Sequence, residues 1–527
     1  MKVPEVMSQV TNLNQLFASR SMNMNSKRFI DFQGIRYSYE DAYEKTLMFA
    51  AGLKNLGIQK DDRVAVLFSN CPEYVFVYFG TLALGANIVP INTFFVPDEV
   101  NHILKDSGAK VFVTSSEFEK IAHQVEDKVD SIKKIVMLNK IEHTHPWVKF
   151  EYMYEHGKLS LEEVADPEPD SLAAILYTSG TTGKPKGAML THRNLLSNGE
   201  MCYKTKLVTE KDKVLMFLPL FHSFSFTVGI VTVMTAGAAV YLMKSVHPFS
   251  EVVKTVLLKR ITIFIGIPQV YRILSMQNIP GWFKLINPLR ICISGAAPLP
   301  VKVWETFEKK FKTPLLEGYG LTEASPVVSV NPLDARKGGS TGLPMPGIDL
   351  KILNDIGEVL PIGEVGEIVI KGPNVMLGYY NQPEATKETF TPDGYLMTGD
   401  YGKVDTDGYI MIVDRKKDLI LYKGMNVYPR EVEEVIYQHP KVAEVAVIGI
   451  PDTHHGEVPV VVIVLKEGST ANGTEIRHFC VGKMANFKIP HYMYFWNELP
   501  KTSTGKISKV EIRGRLKELM GKGEPAK

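Results

Sequence analysis

The sequence predicts an α/β protein in which parallel strands and helices alternate in a doubly wound arrangement. Short apolar runs, such as residues 64–68 and 87–90, alternate with helical patterns such as residues 73–84. This alternation is typical of parallel sheets whose two faces are covered by helices. A chain of 527 residues also exceeds the size of one hydrophobic core, so we expect at least two domains.

Local signals delimit the first elements of this pattern. Ser38, with Asp41 three residues later, predicts the start of a helix, because this pair forms a capping box. Apolar residues follow at helical spacing, and Gly57 predicts the helix end. Buried strands are predicted at residues 64–68, 87–90, 110–113, 172–176, 261–268 and 290–294.

Composition and charge favour an ordinary globular enzyme. Hydrophobic residues make up 45% of the chain and charged residues 22%, and the net charge is +2. No long run of one charge sign occurs, so nucleic acid is not an expected partner. The four cysteines are scattered without metal-binding spacing, which fits a reduced, cytoplasmic protein. The N-terminal residues contain no apolar core, so no signal peptide is expected.

Residues 214–243 carry no formal charge and are long enough to cross a membrane. They also contain Pro219, Gly229 and Gly237 together with several hydroxyl side chains. We therefore predict a strand, a loop, a buried helix that ends at a glycine, and a second strand. A membrane helix is the less favoured alternative.

Residues 177–187 predict a loop that binds phosphate. Glycines let the backbone N–H groups approach an anion, hydroxyls add donors, and lysines add positive charge. The loop is not a Walker A motif, because position 185, where that motif needs its glycine, is proline. A flexible surface loop is the plain alternative. The candidate phosphate-binding residues are Thr178, Ser179, Gly180, Thr181, Thr182, Gly183, Lys184 and Lys186.

Further motifs follow in order along the chain. Residues 317–323 offer Tyr319 as a flat face for a base, Thr322 as a phosphate donor and Glu323 as an oxygen ligand for Mg²⁺. Asp400, in the sequence Thr-Gly-Asp, can accept two hydroxyls of a ribose. Each motif alone could be a turn or a solvated charge. The other segments of interest are 217–224, 290–298, 414–418, 423–429 and 500–507.

Together these motifs resemble the adenylate-forming enzymes, which include acyl-CoA synthetases, luciferases and adenylation domains. The resemblance covers essentially the whole chain, and residues 423–429 look most like bacterial fatty-acyl-CoA synthetases. It implies a large N-terminal domain over residues 1–415, made of doubly wound α/β subdomains plus a β subdomain. It also implies a small, mobile α+β C-terminal domain over residues 416–527, with the hinge at Lys417.

The resemblance also assigns roles to single residues. It implies that Lys506, His222, Thr322 and Glu323 are catalytic and that Glu323 holds Mg²⁺. Lys423 and Gly424 would face the site when a thiol enters. The implied nucleotide-binding residues beyond the phosphate loop are Gly295, Ala296, Ala297, Glu317, Gly318, Tyr319, Gly320, Thr322, Asp400 and Arg415. The implied acyl-pocket residues are His222, Phe226, Val228, Gly229, Ile265, Gly266 and Val327.

The reaction implied is the attack of a carboxylate on ATP, giving acyl-AMP and pyrophosphate, followed by transfer of the acyl group to coenzyme A. His222 stands where amino-acid-activating relatives carry an aspartate, which disfavours an amino-acid substrate. Apolar residues around the acyl site favour a fatty or aryl acid over acetate, and the resemblance of residues 423–429 to fatty-acyl-CoA synthetases implies a medium- or long-chain fatty acid. Alternatives are an aryl-acid CoA ligase, an acyl-AMP ligase that loads a carrier protein, a luciferase-like oxygenase, and a non-catalytic binding protein. The sequence does not decide whether the protein forms a homodimer or contacts a membrane surface transiently.

Overall fold

The computed structural model describes residues 10–139, 146–178, 185–246, 248–277, 286–452, 454–501 and 506–521. Strands and helices alternate through its first two thirds, as the sequence predicts. The strands up to residue 344 are β1 (Arg28–Phe32), β2 (Ile35–Ser38), β3 (Arg63–Leu67), β4 (Asn87–Pro90), β5 (Val111–Ser115), β6 (Lys134–Leu138), β7 (Val148–Lys149), β8 (Leu172–Thr178), β9 (Lys186–Thr191), β10 (Lys213–Met216), β11 (Ala239–Leu242), β12 (Ile263–Gly266), β13 (Ile291–Ser294), β14 (Leu315–Gly320), β15 (Val327–Val330) and β16 (Leu343–Pro344).

The later strands build two smaller sheets and one edge of a larger sheet. They are β17 (Asp349–Leu353), β18 (Gly366–Lys371), β19 (Gly378–Tyr379), β20 (Leu396–Val404), β21 (Ile410–Arg415), β22 (Ile420–Tyr422), β23 (Met425–Val427), β24 (Val442–Asp452), β25 (Gly456–Leu465) and β26 (Tyr492–Phe495).

The helices cover the sheets. They are α1 (Leu13–Asn23), α2 (Tyr39–Asn55), α3 (Pro72–Ala83), α4 (Pro97–Ser107), α5 (Glu119–Lys128), α6 (His192–Lys204), α7 (Ser223–Phe226), α8 (Thr232–Ala236), α9 (Phe249–Lys259), α10 (Pro268–Met276), α11 (Val301–Phe311), α12 (Pro383–Thr389), α13 (Pro429–Tyr437), α14 (Gly473–Cys480) and α15 (Lys509–Gly521).

Two large, mostly parallel sheets form the first part of the molecule. One has the strand order β16-β15-β14-β13-β12-β10-β11-β1-β2, and the other has the order β19-β9-β8-β4-β3-β5-β6-β7. Strands from β14 through β1 in the first sheet, and from β8 through β7 in the second, pair in parallel. Non-sequential neighbours in both sheets give the doubly wound topology predicted from the alternating pattern.

Helix α3 shows how these sheets share a core. Its residues are apolar on almost every side, and all except Glu73 are buried. A helix that is apolar all round must be enclosed by protein. The ring of Tyr78 stacks on Phe226, with ring centroids 3.9 Å apart, so α3 packs against the connection between β10 and β11 of the first sheet.

Residues 213–242 form no long helix. Strand β10 leads into α7, a π-helical turn at Thr227–Val231 and α8, and Gly237 then adopts a left-handed φ of 68° before β11. The prediction of a strand, a buried helical segment, a glycine stop and a second strand is confirmed. None of the helices in the described part of the chain is long and apolar enough to cross a membrane.

Two smaller sheets complete the fold. The antiparallel sheet β17-β18-β20-β21 pairs Asp400 with Arg415 across β20 and β21. The last sheet has the order β23-β22-β25-β24, with β26 beside β25. Helix α13 packs on one face of that sheet through Val432 and Ile436, and α15 packs on the other through Ile512 and Leu516. This small α+β unit matches the character predicted beyond the hinge.

Candidate active site

A cavity of about 1310 Å³ opens beyond the carboxyl ends of β12, β13 and β14. Ligands of open α/β sheets bind at this edge, where the strand order leaves a crevice. The small α+β unit closes the other side of the cavity with residues from Arg430 to Val510. Both parts of the molecule therefore contribute walls to one cleft.

One end of the cleft is organised around Asp400. The carboxylate of Asp400, which is only 4% exposed, accepts a 2.6 Å hydrogen bond from the phenol of Tyr319. The Nε of Arg415 lies 3.2 Å from the other carboxylate oxygen. Burial and the neighbouring carboxylate raise the pKa of Tyr319 well above its ordinary value, and Asp400 raises the pKa of Arg415. The phenol stays neutral and the guanidinium stays charged.

The floor beside Tyr319 consists of small residues after β13. A Cβ on Gly295 would lie 2.8 Å from the ring of Phe224, so only glycine fits there without moving the ring. A Cβ on Gly320 would lie 2.2 Å from the carbonyl oxygen of Pro326. The cleft-lining residues in this region are Gly295, Ala296, Ala297, Glu317, Gly318, Tyr319 and Gly320. All seven predicted positions therefore border the same cavity.

Glu317 is a buried acid at this floor. One of its carboxylate oxygens accepts a 3.0 Å hydrogen bond from the backbone N–H of Leu299. Burial raises the pKa of Glu317 to about 7, while nearby Arg430 acts in the opposite direction. Near neutral pH this side chain is therefore divided between its charged and neutral forms.

His222 and Lys506 line the same cleft. The Nδ1 atom of His222 accepts a 3.2 Å hydrogen bond from the backbone N–H of Phe224, so the proton of the neutral ring lies on Nε2. Burial and, secondly, the charge of Lys506 lower the pKa of His222 to about 3. The imidazole is a neutral donor at physiological pH.

Lys506 enters the cleft from the segment between β26 and α15. Burial lowers its pKa to about 8, Arg415 acts in the same direction, and Asp400 opposes the shift. These influences show that the ammonium lies within electrostatic range of Asp400, Arg415 and His222. At neutral pH Lys506 is mainly protonated, and its charge is close to the point of titration.

Thr178 and Lys186 face each other where β8 and β9 pair, and both border the cleft. The predicted residues between them, Ser179, Gly180, Thr181, Thr182, Gly183 and Lys184, lie outside the described residues. The ammonium of Lys186 is 5.3 Å from the ring centre of Tyr379, whose phenol donates a 2.9 Å hydrogen bond to Oε1 of Glu323. The hydroxyls of Ser223 and Thr322 are 3.3 Å apart beside this group.

Glu323 fits a role as a magnesium ligand. Its side chain is half-buried, and among the described residues only Tyr379 hydrogen-bonds to it, through Oε1. No hydrogen bond to Oε2 occurs among the described residues. The described residues contain no cluster of three or more metal-binding side chains. Mg²⁺ commonly binds one or two carboxylates plus nucleotide phosphates, so a single carboxylate matches an ion held mainly by ATP.

The predicted acyl-pocket residues divide into two groups. His222, Val228 and Val327 line the cavity. Phe226 instead stacks on Tyr78 in the core, a Cβ on Gly229 would meet Met216, and Ile265 and Gly266 belong to the buried strand β12. These four residues lie behind the cleft wall. Residues lining the cavity that the sequence did not indicate are Cys202, Leu207, Val208, Thr232 and Met345.

Lys417 and its neighbours line the rim between the two parts of the molecule. Burial and Arg415 lower the pKa of Lys417. Lys423 and Gly424, in contrast, are exposed in the turn between β22 and β23, with left-handed φ values of 49° and 79°. The described cavity includes Lys506 and does not border Lys423 or Gly424.

Sequence reasoning missed the polar residues that join the two parts across the cleft. Gln269 and Arg272 lie on α10, and Glu444 and Lys501 lie on the small unit. Pro268 is a local sign of a helix start, but Glu444, the partner of Arg272 on this helix, lies 172 residues further along the chain. No local signal indicates such a pair.

The fold and cleft define a two-part protein in which Lys506 of the smaller unit borders a cleft at the strand ends of the larger one. The sequence pattern of the AMP-binding enzyme family matches residues 17–380, and that of the AMP-binding enzyme C-terminal domain matches residues 431–506. The chain belongs to the AMP-binding enzyme family.

Several relatives match nearly the whole chain. The long-chain-fatty-acid–CoA ligase of Bacillus subtilis (strain 168) is 36% identical over 536 residues, covering 96% of this chain and 94% of that protein. ATP-bound MatB from Rhodopseudomonas palustris has a TM-score of 0.88 and 31% identity, covering 96% of this chain and 99% of that one. The anthranilate CoA ligase AuaEII, in complex with anthranoyl-AMP, has a TM-score of 0.90 and 27% identity, covering 99% and 100%. The predicted fold class is confirmed.

Proposed function

We propose that this protein is an AMP-forming fatty-acid–CoA ligase. It activates a medium- or long-chain fatty acid with ATP, releases pyrophosphate, and passes the acyl group of acyl-AMP to coenzyme A. The observation that carries this proposal is the convergence of Lys506, His222 and the Tyr319–Asp400–Arg415 group in one cleft. The names of the similar proteins, a fatty-acid–CoA ligase and an acyl-CoA ligase bound to acyl-AMP, agree with it.

The nucleoside of ATP binds at the Asp400 end. The ring of Tyr319 offers a flat face to adenine, and the small residues Gly295, Ala296 and Ala297 leave space for it. Asp400 is the acceptor for the ribose hydroxyls, with Arg415 3.2 Å away to hold its charge. Thr178, Lys186 and Thr322 face the phosphates. Glu323 holds Mg²⁺, which supplies positive charge to the phosphate oxygens when bound.

The fatty acid binds with its carboxylate beside His222 and Lys506. The neutral His222 donates from Nε2 to one carboxylate oxygen, because Nδ1 is already engaged by the backbone. The apolar chain extends along Val228, Thr232, Cys202 and Leu207, which border the same cavity. This extension supports a long acyl group over acetate.

In the first step a carboxylate oxygen attacks the α-phosphorus of ATP, and the bond from that phosphorus to the pyrophosphate oxygen breaks. The difficulty is that an anion approaches a polyanion. The protonated Lys506 lies where it can contact both the carboxylate and the α-phosphate, so it offsets the charge that develops between them. This role is electrostatic and positional, and Lys506 forms no covalent bond.

In the second step the sulfur of coenzyme A attacks the acyl carbon, and the bond from that carbon to the AMP oxygen breaks. Lys506 occupies the cleft before this step, whereas Lys423 and Gly424 lie exposed on another side of the small unit. We propose that the small domain, residues 416–527, turns about Lys417 so that Lys506 leaves and Lys423–Gly424 approaches. One cleft then serves two reactions through gating.

An aryl acid is the second candidate substrate, because the similar AuaEII is an anthranilate CoA ligase. Pyrophosphate and AMP release should therefore be measured with straight-chain acids from acetate to oleate and with benzoate and coumarate, with and without coenzyme A. We expect turnover that requires coenzyme A and is highest for one fatty-acid length. A maximum with benzoate or coumarate would indicate an aryl-acid ligase. Tightly held acyl-AMP without coenzyme A dependence would indicate transfer to a carrier protein, and no ATP cleavage would contradict the proposal.

A further inference from the structure

A cross-cleft ion pair joins helix α10 to the small α+β unit. The guanidinium of Arg272 contacts the carboxylate of Glu444 through Nη2 and donates from Nη1 to the carbonyl oxygen of Ala443 at 2.6 Å. The amide of Gln269 donates to the same carboxylate at 3.2 Å. The side chains of Arg272 and Glu444 are only 18% and 10% exposed. Water screens such a pair much less than a surface pair.

The same carboxylate also anchors the segment that carries Lys506. The ammonium of Lys501 lies 2.9 Å from Oε1 of Glu444. Lys501 in turn pairs with Ile507, the neighbour of Lys506, in an isolated antiparallel bridge. A continuous chain of contacts thus runs from Arg272 through Glu444 and Lys501 to the residue beside Lys506.

Two further polar contacts between the units each involve a residue within three positions of Lys417. Lys416 pairs with Glu367 at 2.7 Å, and the N–H of Arg430 donates to Asp414 at 2.7 Å. A rotation about Lys417 moves residues near the pivot by small distances. Arg272 lies on α10 of the large unit and Glu444 lies on β24 of the small unit, so a rotation that carries the small unit away from α10 breaks this pair.

We propose that Arg272 and Glu444 form a latch that holds the small domain in the orientation for adenylation. The two side chains are positioning residues, because they act on Lys506 through Lys501 and the domain. This inference rests on the proposed two-step function. It adds that the latch sets the balance between the two half-reactions: a stronger latch favours acyl-AMP formation, and a weaker one favours the thioester step.

The test compares the half-reactions of Arg272→Leu with those of the wild type. Adenylation is measured as pyrophosphate release from ATP and the preferred fatty acid, and thioester formation is measured from supplied acyl-AMP and coenzyme A. We expect kcat/KM for adenylation to fall on the order of tenfold, which corresponds to about 1.4 kcal/mol. Thioester formation should stay within about twofold or increase, because it does not use the latched orientation.

Two controls separate a latch from a loss of folding. Arg336→Leu breaks a partly buried pair, Arg336 Nε to Glu308 Oε1 at 2.8 Å, within the large domain, and it should leave the ratio of the half-reactions unchanged. In the double variant Arg272→Leu/Glu444→Gln, the loss of adenylation free energy should be smaller than the sum of the losses in the two single variants. Both substitutions remove the same Arg272–Glu444 interaction. Equal loss of both half-reactions in Arg272→Leu, or no loss, would overturn the proposal.

Domain orientation gives a readout that does not depend on turnover. Spin labels are attached at the exposed positions of Lys309→Cys and Glu467→Cys, one on each unit, while all four native cysteines are buried. We expect Arg272→Leu to broaden or shift the distance distribution, and Arg336→Leu to leave it unchanged. An unchanged distribution in Arg272→Leu would overturn the latch. If the wild type activates no acid, the proposed function fails, and this distance measurement still tests the latch.

Discussion

Tyr319 and Asp400 share a 2.6 Å hydrogen bond that fixes one carboxylate oxygen, while Arg415 approaches the other at 3.2 Å. The acceptor is therefore oriented before any nucleotide arrives. Such preorganisation lowers the cost of binding, because the protein groups need no rearrangement. The same arrangement indicates which substitution should weaken the binding of ATP without changing the binding of the fatty acid.

Asp400→Asn keeps the size of the side chain but removes its charge. We expect the KM for ATP to rise by at least about tenfold, because an amide accepts more weakly and Arg415 loses its partner. The KM for the fatty acid should change little, since no hydrogen bond among the described residues joins His222 or Val228 to Asp400. Steady-state kinetics with each substrate varied in turn tests this. Tyr319→Phe keeps the flat ring and is the milder control, and an equal rise in both KM values would contradict the assignment.

Lys506→Ala should nearly abolish acyl-AMP formation and largely spare thioester formation from supplied acyl-AMP. Removing one preorganised charge of this kind typically costs about 3 kcal/mol in the transition state, roughly a hundredfold in rate. Lys506→Arg retains charge and serves as the matched variant. The two half-reactions are measured separately by pyrophosphate release and by coenzyme A consumption. An equal loss in both would show that Lys506 does not act specifically in the first step.

The pKa of Lys506, lowered to about 8 by burial and by Arg415, predicts the pH dependence of adenylation. The protonated form is the active one, so kcat/KM for ATP should fall as pH rises through about 8, approaching tenfold per unit above it. Bound phosphates favour the ammonium, so the decline in kcat should come at higher pH. Lys506→Arg should remove the decline, because arginine stays charged. A profile of kcat/KM that is flat to pH 10 would contradict this assignment.

Glu317 predicts a pH dependence of stability. Its pKa in the folded protein is raised by burial to about 7, from an ordinary value of 4.5. A raised pKa means that its contribution is full below about pH 4.5 and is lost as pH rises through 7. Glu317→Gln does not ionise, so its stability relative to the wild type should increase over this range by on the order of 3 kcal/mol.

Urea unfolding at pH 5 and pH 8 measures this difference. Gln can still accept the hydrogen bond from the backbone of Leu299, so the substitution changes mainly the charge. Glu305→Gln, at an exposed position on α11, is the control and should show the same stability relative to the wild type at both pH values. If the stability of Glu317→Gln relative to the wild type is the same at both pH values, burial does not raise the pKa of Glu317 in the folded protein.

Local interactions made much of the fold predictable from the sequence. Ser38 and Asp41 form the predicted capping box at the start of α2, because all its atoms lie within four consecutive residues. The run at residues 64–68 corresponds to the buried strand β3, since a strand enclosed on both faces must be apolar throughout. The order of motifs also indicated which residues would border one cleft, including Tyr319 and Asp400.

The direction of side chains was less predictable. Phe226 and Gly229 were assigned to the acyl pocket, but they face the core. The resemblance that names these residues gives their order along the chain, whereas the π-helical turn at Thr227–Val231, which changes the angle between successive residues, has no signal in the sequence. The contact of Arg272 with Glu444 depends on how two units pack, which is a long-range property that no local pattern encodes.

Arg415, Lys416 and Lys417 are consecutive, and this adjacency has a kinetic consequence under the proposed mechanism. Arg415 ends β21 with its side chain on Asp400, and the expected pivot lies only two peptide bonds further along. A bound nucleotide that clamps Arg415 also stiffens the start of the pivot. Torsion at Lys417 is in turn transmitted to the ribose end of the cleft. Under this mechanism, rotation of the small domain and release of AMP are therefore coupled. Arg415, Lys416 and Lys417 thus govern the order in which the products leave.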